Sequence, residues 1–396
     1  MPPALTCEHS QRMKGTRLTS IDTLRGIVMI LMALDHVRDF FGVPGVRPTV
    51  LAQTTVPLFF TRWITHLCAP TFFLLTGTGA YLALGRRTVP QLSRFLLTRG
   101  VWLIVLEVTV IRCLGFQFNF DYQVTMLVVI WALGWAMVTL SALVWLPPMA
   151  ILAIGAALIL GHNMFDGIRS THPLWVMLHS QGVVVNRPGF VVFVAYPLIP
   201  WIGVTAIGYA LGQIYRWGPQ RRLVFLRRAG FTLLLAFVVL RLFNIYGDPS
   251  PWAPQATMGM TLVSFLNVTK YPPSLLFLLM TLGPALLILR ALDGRNPPLL
   301  RPALVFGQVP LFYFTLHLPL IHLLAVALCY LQNRAVHWMF ESPDLSTYPF
   351  TPPPGWGLSL PWIYLLWVTV VVMLYPVCAW FAGVKRRQAS PWLSYL

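Results

Sequence analysis

Apolar residues run through this chain in long blocks, broken by short connections rich in arginine, proline or glycine. Blocks of roughly twenty residues are what a helix needs to cross a bilayer at about 1.5 Å per residue. The pattern predicts an all-α polytopic membrane protein with about ten transmembrane helices, near 19–41, 58–84, 92–112, 122–145, 148–162, 190–214, 228–245, 272–290, 303–331 and 361–383. The fifth is short and follows Pro147 and Pro148; the ninth carries Pro310 and Pro319, which kink membrane helices where neighbours satisfy the freed carbonyls.

The first block differs from the rest. Its unbroken apolar stretch, 26–34, is too short to span, and no small-residue cleavage site follows it, so a signal peptide is not expected. A helix over 19–41 would be about 34 Å long, but it spans only by taking charges into the membrane. Arg25 and His36 stand on it with ten residues between them. Eleven steps of about 100° bring both side chains to nearly the same face, about 16 Å apart along the axis. Asp22 lies three positions before Arg25, and Asp39 three after His36. Ionisable groups inside a spanning helix are costly and point to function.

Composition agrees with a membrane protein: 57% of residues are hydrophobic and 10% charged, against about 25% charged in soluble domains. The mean hydropathy is +0.71. The net charge of +17 does not imply nucleic-acid binding, because the basic residues gather in connections and tails without an interleaved aromatic stripe. With ten crossings the clusters at Arg12, Lys14 and Arg17, at 86–94, at 216–228, at 290–301 and at 385–387 fall on one side. Both termini are therefore expected in the cytoplasm, with an N-terminal tail over 1–18, one domain over 19–384 and a C-terminal tail over 385–396. The five cysteines show no CxxC spacing and read as unpaired core thiols. Gly208 and Gly212, with Gly203 nearby, have the spacing of a close helix–helix seam.

This topology places Arg62, His66, Glu107, Arg241 and His322 in the outer half of the membrane. His317 falls near the middle, and Lys270 at the outer surface. The reading is a polar chamber in the outer leaflet, approached from the cytoplasm past Arg25. Plainer readings stand beside it: Arg25 and Asp22 as a structural ion pair, Arg62 and His66 as loop caps, His322 as a satisfied core histidine. His317 and His322 project about 140° apart. No three-ligand convergence is visible, and no metal is expected.

A cation at Arg25 suits the anionic end of a donor arriving from the cytosol. His36 can take a proton from an attacking hydroxyl or amine if Asp39 or Asp35 orients it. An extended phosphopantetheine arm is comparable in length to the Arg25–His36 gap, which suggests acyl transfer from acyl-CoA across the membrane.

The segment LTSIDTLRGIVMILMALDHVRDFF resembles the opening of the heparan-α-glucosaminide N-acetyltransferase catalytic-domain family, and the chain is similar to the bacterial membrane proteins grouped with it. The Arg-x10-His arrangement is shared with the acyltransferase-3 membrane O-acyltransferases. The stretches APTFFLLTGTGAYL (69–82), LNVTKYPPSLLFLLMTLGPALLIL (266–289) and FGQVPLFYFTLHLPLIHLLA (306–325) extend the resemblance over essentially the whole chain.

It implies a ten-helix transmembrane acyltransferase fold in a bacterial inner membrane. Such an enzyme uses acetyl-CoA or another acyl-CoA to acylate an extracytoplasmic sugar or glycan. Residue by residue, it implies a family arginine at Arg25 and the acyltransferase-3 histidine at His36. Lys270 in VTKYPP matches the lysine of an NKN-type motif, and Gly77 the glycine of an FFxxSG-like stretch with Thr76 in place of serine. Gly77 is thus expected on the donor side, and Lys270, His317 or His66 at the acceptor or the oxyanion. The family's acetyltransferase branch carries its histidine past the first helix, whereas His36 keeps the acyltransferase-3 spacing. Direct transfer and an acyl-histidine intermediate both remain open. So does a homo-oligomer. The rival from another class is a proton-coupled exporter of an anionic solute; a third is a non-catalytic envelope scaffold.

Overall fold

The computed structural model describes residues 18–388 apart from 296 and 348. Residues 1–17 of the predicted 1–18 tail, with Cys7, Arg12, Lys14 and Arg17, lie outside the described residues. Helices occupy every segment that the apolar pattern predicts: α1 (Thr19–Phe41), α2 (Val56–Ile64), α3 (Cys68–Ala83), α4 (Val89–Leu106), α5 (Val129–Leu143), α6 (Pro148–Gly161), α7 (Pro173–Leu178), α8 (Leu198–Leu211), α9 (Pro219–Phe243), α10 (Met258–Leu266), α11 (Leu275–Leu292), α12 (Arg301–Gln308), α13 (Pro310–Leu331) and α14 (Leu360–Arg387). Seven helical stretches are long and apolar enough to cross a membrane: Val56–Ala83, Pro148–Phe165, Leu198–Arg216, Pro219–Phe243, Leu275–Leu292, Pro310–Leu331 and Leu360–Arg387. The chain is a helical, polytopic integral membrane protein.

Five segments depart from the apolar pattern, each for a local reason. Residues expected to begin the fourth and sixth helices are extended instead: β1 (Val124–Leu127) pairs in parallel with β3 (Phe190–Val194), which pairs antiparallel with β2 (Gly182–Arg187). These runs are rich in β-branched residues, which favour the pleated conformation. The seventh helix starts earlier than expected, with Pro219 in its first turn, so Arg221, Arg222, Arg227 and Arg228 stand on its opening turns rather than in a connection. Arg222 Nε donates to Asp293 at 2.7 Å. The ninth segment is two helices that part at Val309, whose φ of −132° and ψ of 51° are not helical. Pro310 explains the break: its ring disfavours helical backbone in the preceding residue and it lacks an N–H. At the far end α14 continues to Arg387, so Lys385, Arg386 and Arg387 form its last turn, where cations suit the helix dipole.

α1 is the central strut. It packs against α12, α13, α14, α3 and α11. The α1–α12 contact is so close that a Cβ on Gly307 would fall 1.7 Å from the Asp22 carbonyl oxygen. α3 and α8 form a second seam, where a Cβ on Gly208 would lie 2.1 Å from the Leu74 carbonyl. Gly212 meets the Tyr81 side chain, and Gly203 meets α6, so the predicted small-residue stripe is a packing stripe. Cys68, Cys113, Cys329 and Cys378 are buried free thiols.

Candidate active site around His36

Three cavities succeed one another along α1. The first, about 230 Å³, is lined by Arg25, Met29 and Met32 of α1, by Thr76, Gly79 and Arg99, and otherwise almost wholly by apolar side chains. The second, about 200 Å³, surrounds Asp35, His36 and Asp39 and shares Met32, Phe72, Val129 and Phe314 with the first. The third, about 730 Å³, is a wide groove that includes Arg38, Arg47, Phe350 and Trp356; it shares Asp39 with the second. His36 therefore sits between an apolar slot with arginines at one end and a broad polar groove at the other.

Helical spacing accounts for this order. Arg25, Met29, Met32, His36 and Asp39 follow one another at three- and four-residue intervals, which is one stripe of a helix. Arg25 Nη1 donates to Asp22 Oδ1 at 3.0 Å and to the Gly307 carbonyl at 3.1 Å. That carbonyl belongs to the last turn of α12, where carbonyls lack intrahelical partners. Arg25 thus closes a helix end and still forms part of the cavity wall.

Around His36 the carboxylates are claimed by arginines. Asp35 accepts from Arg38 Nη2 at 2.8 Å and from Arg62, while Asp39 accepts from Arg38 at 2.7 Å. His36 Nδ1 is 3.8 Å from Asp39 Oδ2, beyond hydrogen-bonding distance, and has no hydrogen-bond partner among the described residues. The orienting carboxylate expected from sequence is therefore nearby but not engaged, and Asp35 is committed to Arg38 and Arg62. Arg38, which sequence reasoning passed over, holds both acids. With Lys270 also on the wall, three cations face two carboxylates. The field favours an anion or a developing oxyanion.

The other expected residues divide. Lys270 is on the wall, its Nζ 5.1 Å from the Tyr271 ring centroid, and its ammonium makes no hydrogen bond or ion pair among the described residues. His317 is fully buried just outside the wall, its ring 5.1 Å from that of His36. His66 is buried away from the wall, edge-on to Phe277, while its neighbours Thr65 and Cys68 line the cavity. Gly77 corrects the expectation of a donor contact. Its missing Cβ would lie 2.0 Å from the Thr205 carbonyl, so it faces the α3–α8 seam, and Thr76 and Gly79 face the first cavity instead.

Glu107, Arg241 and His322 are likewise not chamber residues. Glu107 accepts the Ile130 and Trp131 N–H groups at 3.0 and 3.1 Å, capping α5. Arg241 donates to the carbonyls of Ser250, Ser264, Phe265 and Asn267. His322 lies against the Gly115 and Met339 carbonyls and stacks on Phe118, a satisfied core histidine as one reading held. Tyr196, Tyr271, Phe116 and Gln181 complete the wall and were not foreseen; the one clue was that Tyr271 adjoins Lys270. The fold also assembles a three-ligand set that spacing had not revealed: His162, Asp166 and His179.

Fold and site together define a polytopic membrane protein with a half-buried histidine between two unlike cavities. The chain belongs to the family described as Heparan-alpha-glucosaminide N-acetyltransferase, catalytic, whose match covers residues 17–245. That places it in a transmembrane acetyltransferase family. The match contains α1, Arg62 and the walls from α2 to α8, whereas Lys270 and His317 lie beyond it. No curated protein matches the chain.

Proposed function

We propose that the protein transfers an acyl group, acetyl in the first instance, from cytosolic acyl-CoA to an extracytoplasmic carbohydrate or related acceptor. The observation that carries this reading is the position of His36 between the Arg25 cavity and the wide groove that opens past Asp39. The apolar slot suits a pantetheine arm and acyl chain, with Arg25 and Arg99 toward the nucleotide phosphates. The outer groove suits a sugar, with Trp356 and Phe350 as stacking faces. In this topology both termini and the arginine clusters face the cytoplasm of a bacterial cell, and the membrane is its inner membrane.

In direct transfer the acceptor oxygen adds to the thioester carbonyl while His36 takes its proton. The carbon–sulfur bond then breaks and the proton passes to the departing thiolate. Lys270 stabilises the oxyanion in this reading. Asp39 orients His36 after a closure of about 1 Å, from 3.8 Å to hydrogen-bond length.

The deciding experiment is acetyl-CoA binding to the detergent-purified protein, followed by acetyl transfer to a panel of glycans in vesicles. Saturable binding that competes with CoA, with transfer abolished by His36→Ala, is the expected result. Solute flux independent of CoA, with no CoA binding by a folded protein, would replace this reading with an anion exporter.

A further inference from the structure

Beyond the acyltransfer site, the 3-10 turn that follows α6 opens with His162, Asp166 comes directly after that turn, and His179 directly follows α7. One potential ligand atom from each lies within 4.8 Å of the other two. His179 Nε2 and Asp166 Oδ1 are 3.4 Å apart. Two ligands on a tetrahedral zinc ion with bonds of about 2.0–2.1 Å sit about 3.4 Å apart, so this edge already has the required length. His162 must close by roughly an ångström, within reach of a side-chain rotation.

The electrostatics favour a cation. His162 and His179 are 2% and 3% exposed, yet both ring nitrogens of His162 and Nδ1 of His179 have no hydrogen-bond partner among the described residues. A histidine–carboxylate bond alone would satisfy His179 Nε2 and leave His162 with nothing, a costly arrangement for a buried imidazole. The carboxylate is oriented from outside the set: Asn163 Nδ2 donates to Asp166 Oδ2 at 2.7 Å, and Asn163 Oδ1 accepts the Leu275 N–H at 2.9 Å. Such outer partners are what metal sites use to aim their ligands.

We propose that His162, Asp166 and His179 bind one divalent transition-metal ion of the zinc type, with a fourth position open on the side where Asp166 reaches solvent. Two imidazoles and one carboxylate suit zinc and disfavour magnesium or calcium, which prefer oxygen donors. The ion ties the end of α6 to the end of α7. His179 stands two residues before Gln181, a wall residue of the His36 cavity, and β2 begins directly after it. The metal is therefore a clamp on that wall, and it takes no part in the transfer chemistry.

The test uses the full-length protein in detergent with any affinity tag removed. Metal analysis, cobalt titration and thermal melts would be run on the wild type, on Asp166→Asn and on His162→Gln. We expect one zinc per chain, a tetrahedral cobalt spectrum without a thiolate band, and a melting temperature that falls with chelator and returns with zinc but not magnesium. Asp166→Asn and His162→Gln should lose the metal and the zinc-dependent rise in melting. Absence of a tetrahedral cobalt spectrum and of a zinc-induced melting shift in the wild type would overturn the site without recourse to any variant. Equal zinc uptake by both folded variants would overturn it as well.

Discussion

The His36 and His317 rings lie 5.1 Å apart between centroids, one on the cavity wall and the other buried just outside it. His317 Nδ1 is 2.6 Å from the Phe314 carbonyl, which can only accept, so this nitrogen carries a proton and the ring is tied to its own helix. His36 has no such tie, and its ring is free to exchange a proton with a bound acceptor. His36→Ala should lower kcat by about 10²–10⁴-fold, the span of general-base catalysis, with donor affinity unchanged. His317→Ala should cost less and act through kcat, because it removes a neighbour of the base. Stopped-flow and steady-state acetyl transfer would decide; activity in His36→Ala within tenfold of wild type would remove His36 from the mechanism.

Arg25 has two roles, and they can be separated. Its bond to Asp22 and its cap on Gly307 mean that Arg25→Ala removes a charged partner from a buried carboxylate and the cap from a helix end, at a cost of about 2 kcal/mol. Loss of acetyl-CoA binding in that variant would be ambiguous. Pairing Arg25→Gln with Asp22→Asn removes both charges and should recover most of the stability, while donor affinity stays weakened about tenfold, roughly 1.4 kcal/mol. Calorimetric binding beside thermal melts checks this; full donor affinity in the stable double variant would make Arg25 purely structural.

The helices and the Arg25–His36 stripe were legible because apolar runs and a 3.6-residue period are local properties of the chain. What stayed hidden depends on contacts between distant segments. Glu107 looks like a chamber acid until Ile130 and Trp131 are folded onto it, and Arg241 looks like a chamber cation until the 250–267 carbonyls surround it. Gly77 illustrates the same limit, since nothing in FFLLTG states which neighbour its open side meets. Arg38 was hidden for the opposite reason: its partners, Asp35 and Asp39, lie within three residues of it, and the same local spacing offers both acids to His36.

Gly77 and Gly79 provide a paired test of the donor slot. A methyl at Gly77 would meet the Thr205 carbonyl at 2.0 Å and the Tyr209 nitrogen at 2.6 Å, both rigid backbone. Gly77→Ala should destabilise by about 3 kcal/mol, the upper part of the range for overpacking, and reduce folded yield. A methyl at Gly79 meets nothing within 4 Å and projects from a residue of the first cavity. Gly79→Ala should leave the melting temperature within a degree or two of wild type, since no overpacking is involved, and alter donor affinity. A Gly77→Ala protein that melts normally but binds acetyl-CoA poorly would return Gly77 to the donor site.

Lys270 owes its position to Asp248, whose side chain is buried. The Asp248 carboxylate accepts the Thr269 N–H at 2.8 Å and the Ser274 hydroxyl at 2.6 Å, on either side of the turn that carries Lys270. It also accepts the Ser250 N–H at 2.8 Å and lies 3.9 Å from Arg241 Nη1. Asp248→Ala removes these three bonds and a fourth from the Thr269 hydroxyl at 3.1 Å, and leaves the Arg241 charge with carbonyls alone, so a loss of about 3 kcal/mol is expected. Lys270→Ala should leave stability nearly unchanged, because the ammonium makes no ion pair among the described residues, and should lower kcat by about 10²-fold if it stabilises the oxyanion. Asp248→Asn keeps the shape but presents an N–H to groups that themselves donate, so the turn should loosen and kcat should fall toward the Lys270→Ala value. Adding Lys270→Ala to Asp248→Asn should then cost little more, since both act through one ammonium. Full additivity of the two losses in kcat would mean that Asp248 supports the fold without positioning Lys270.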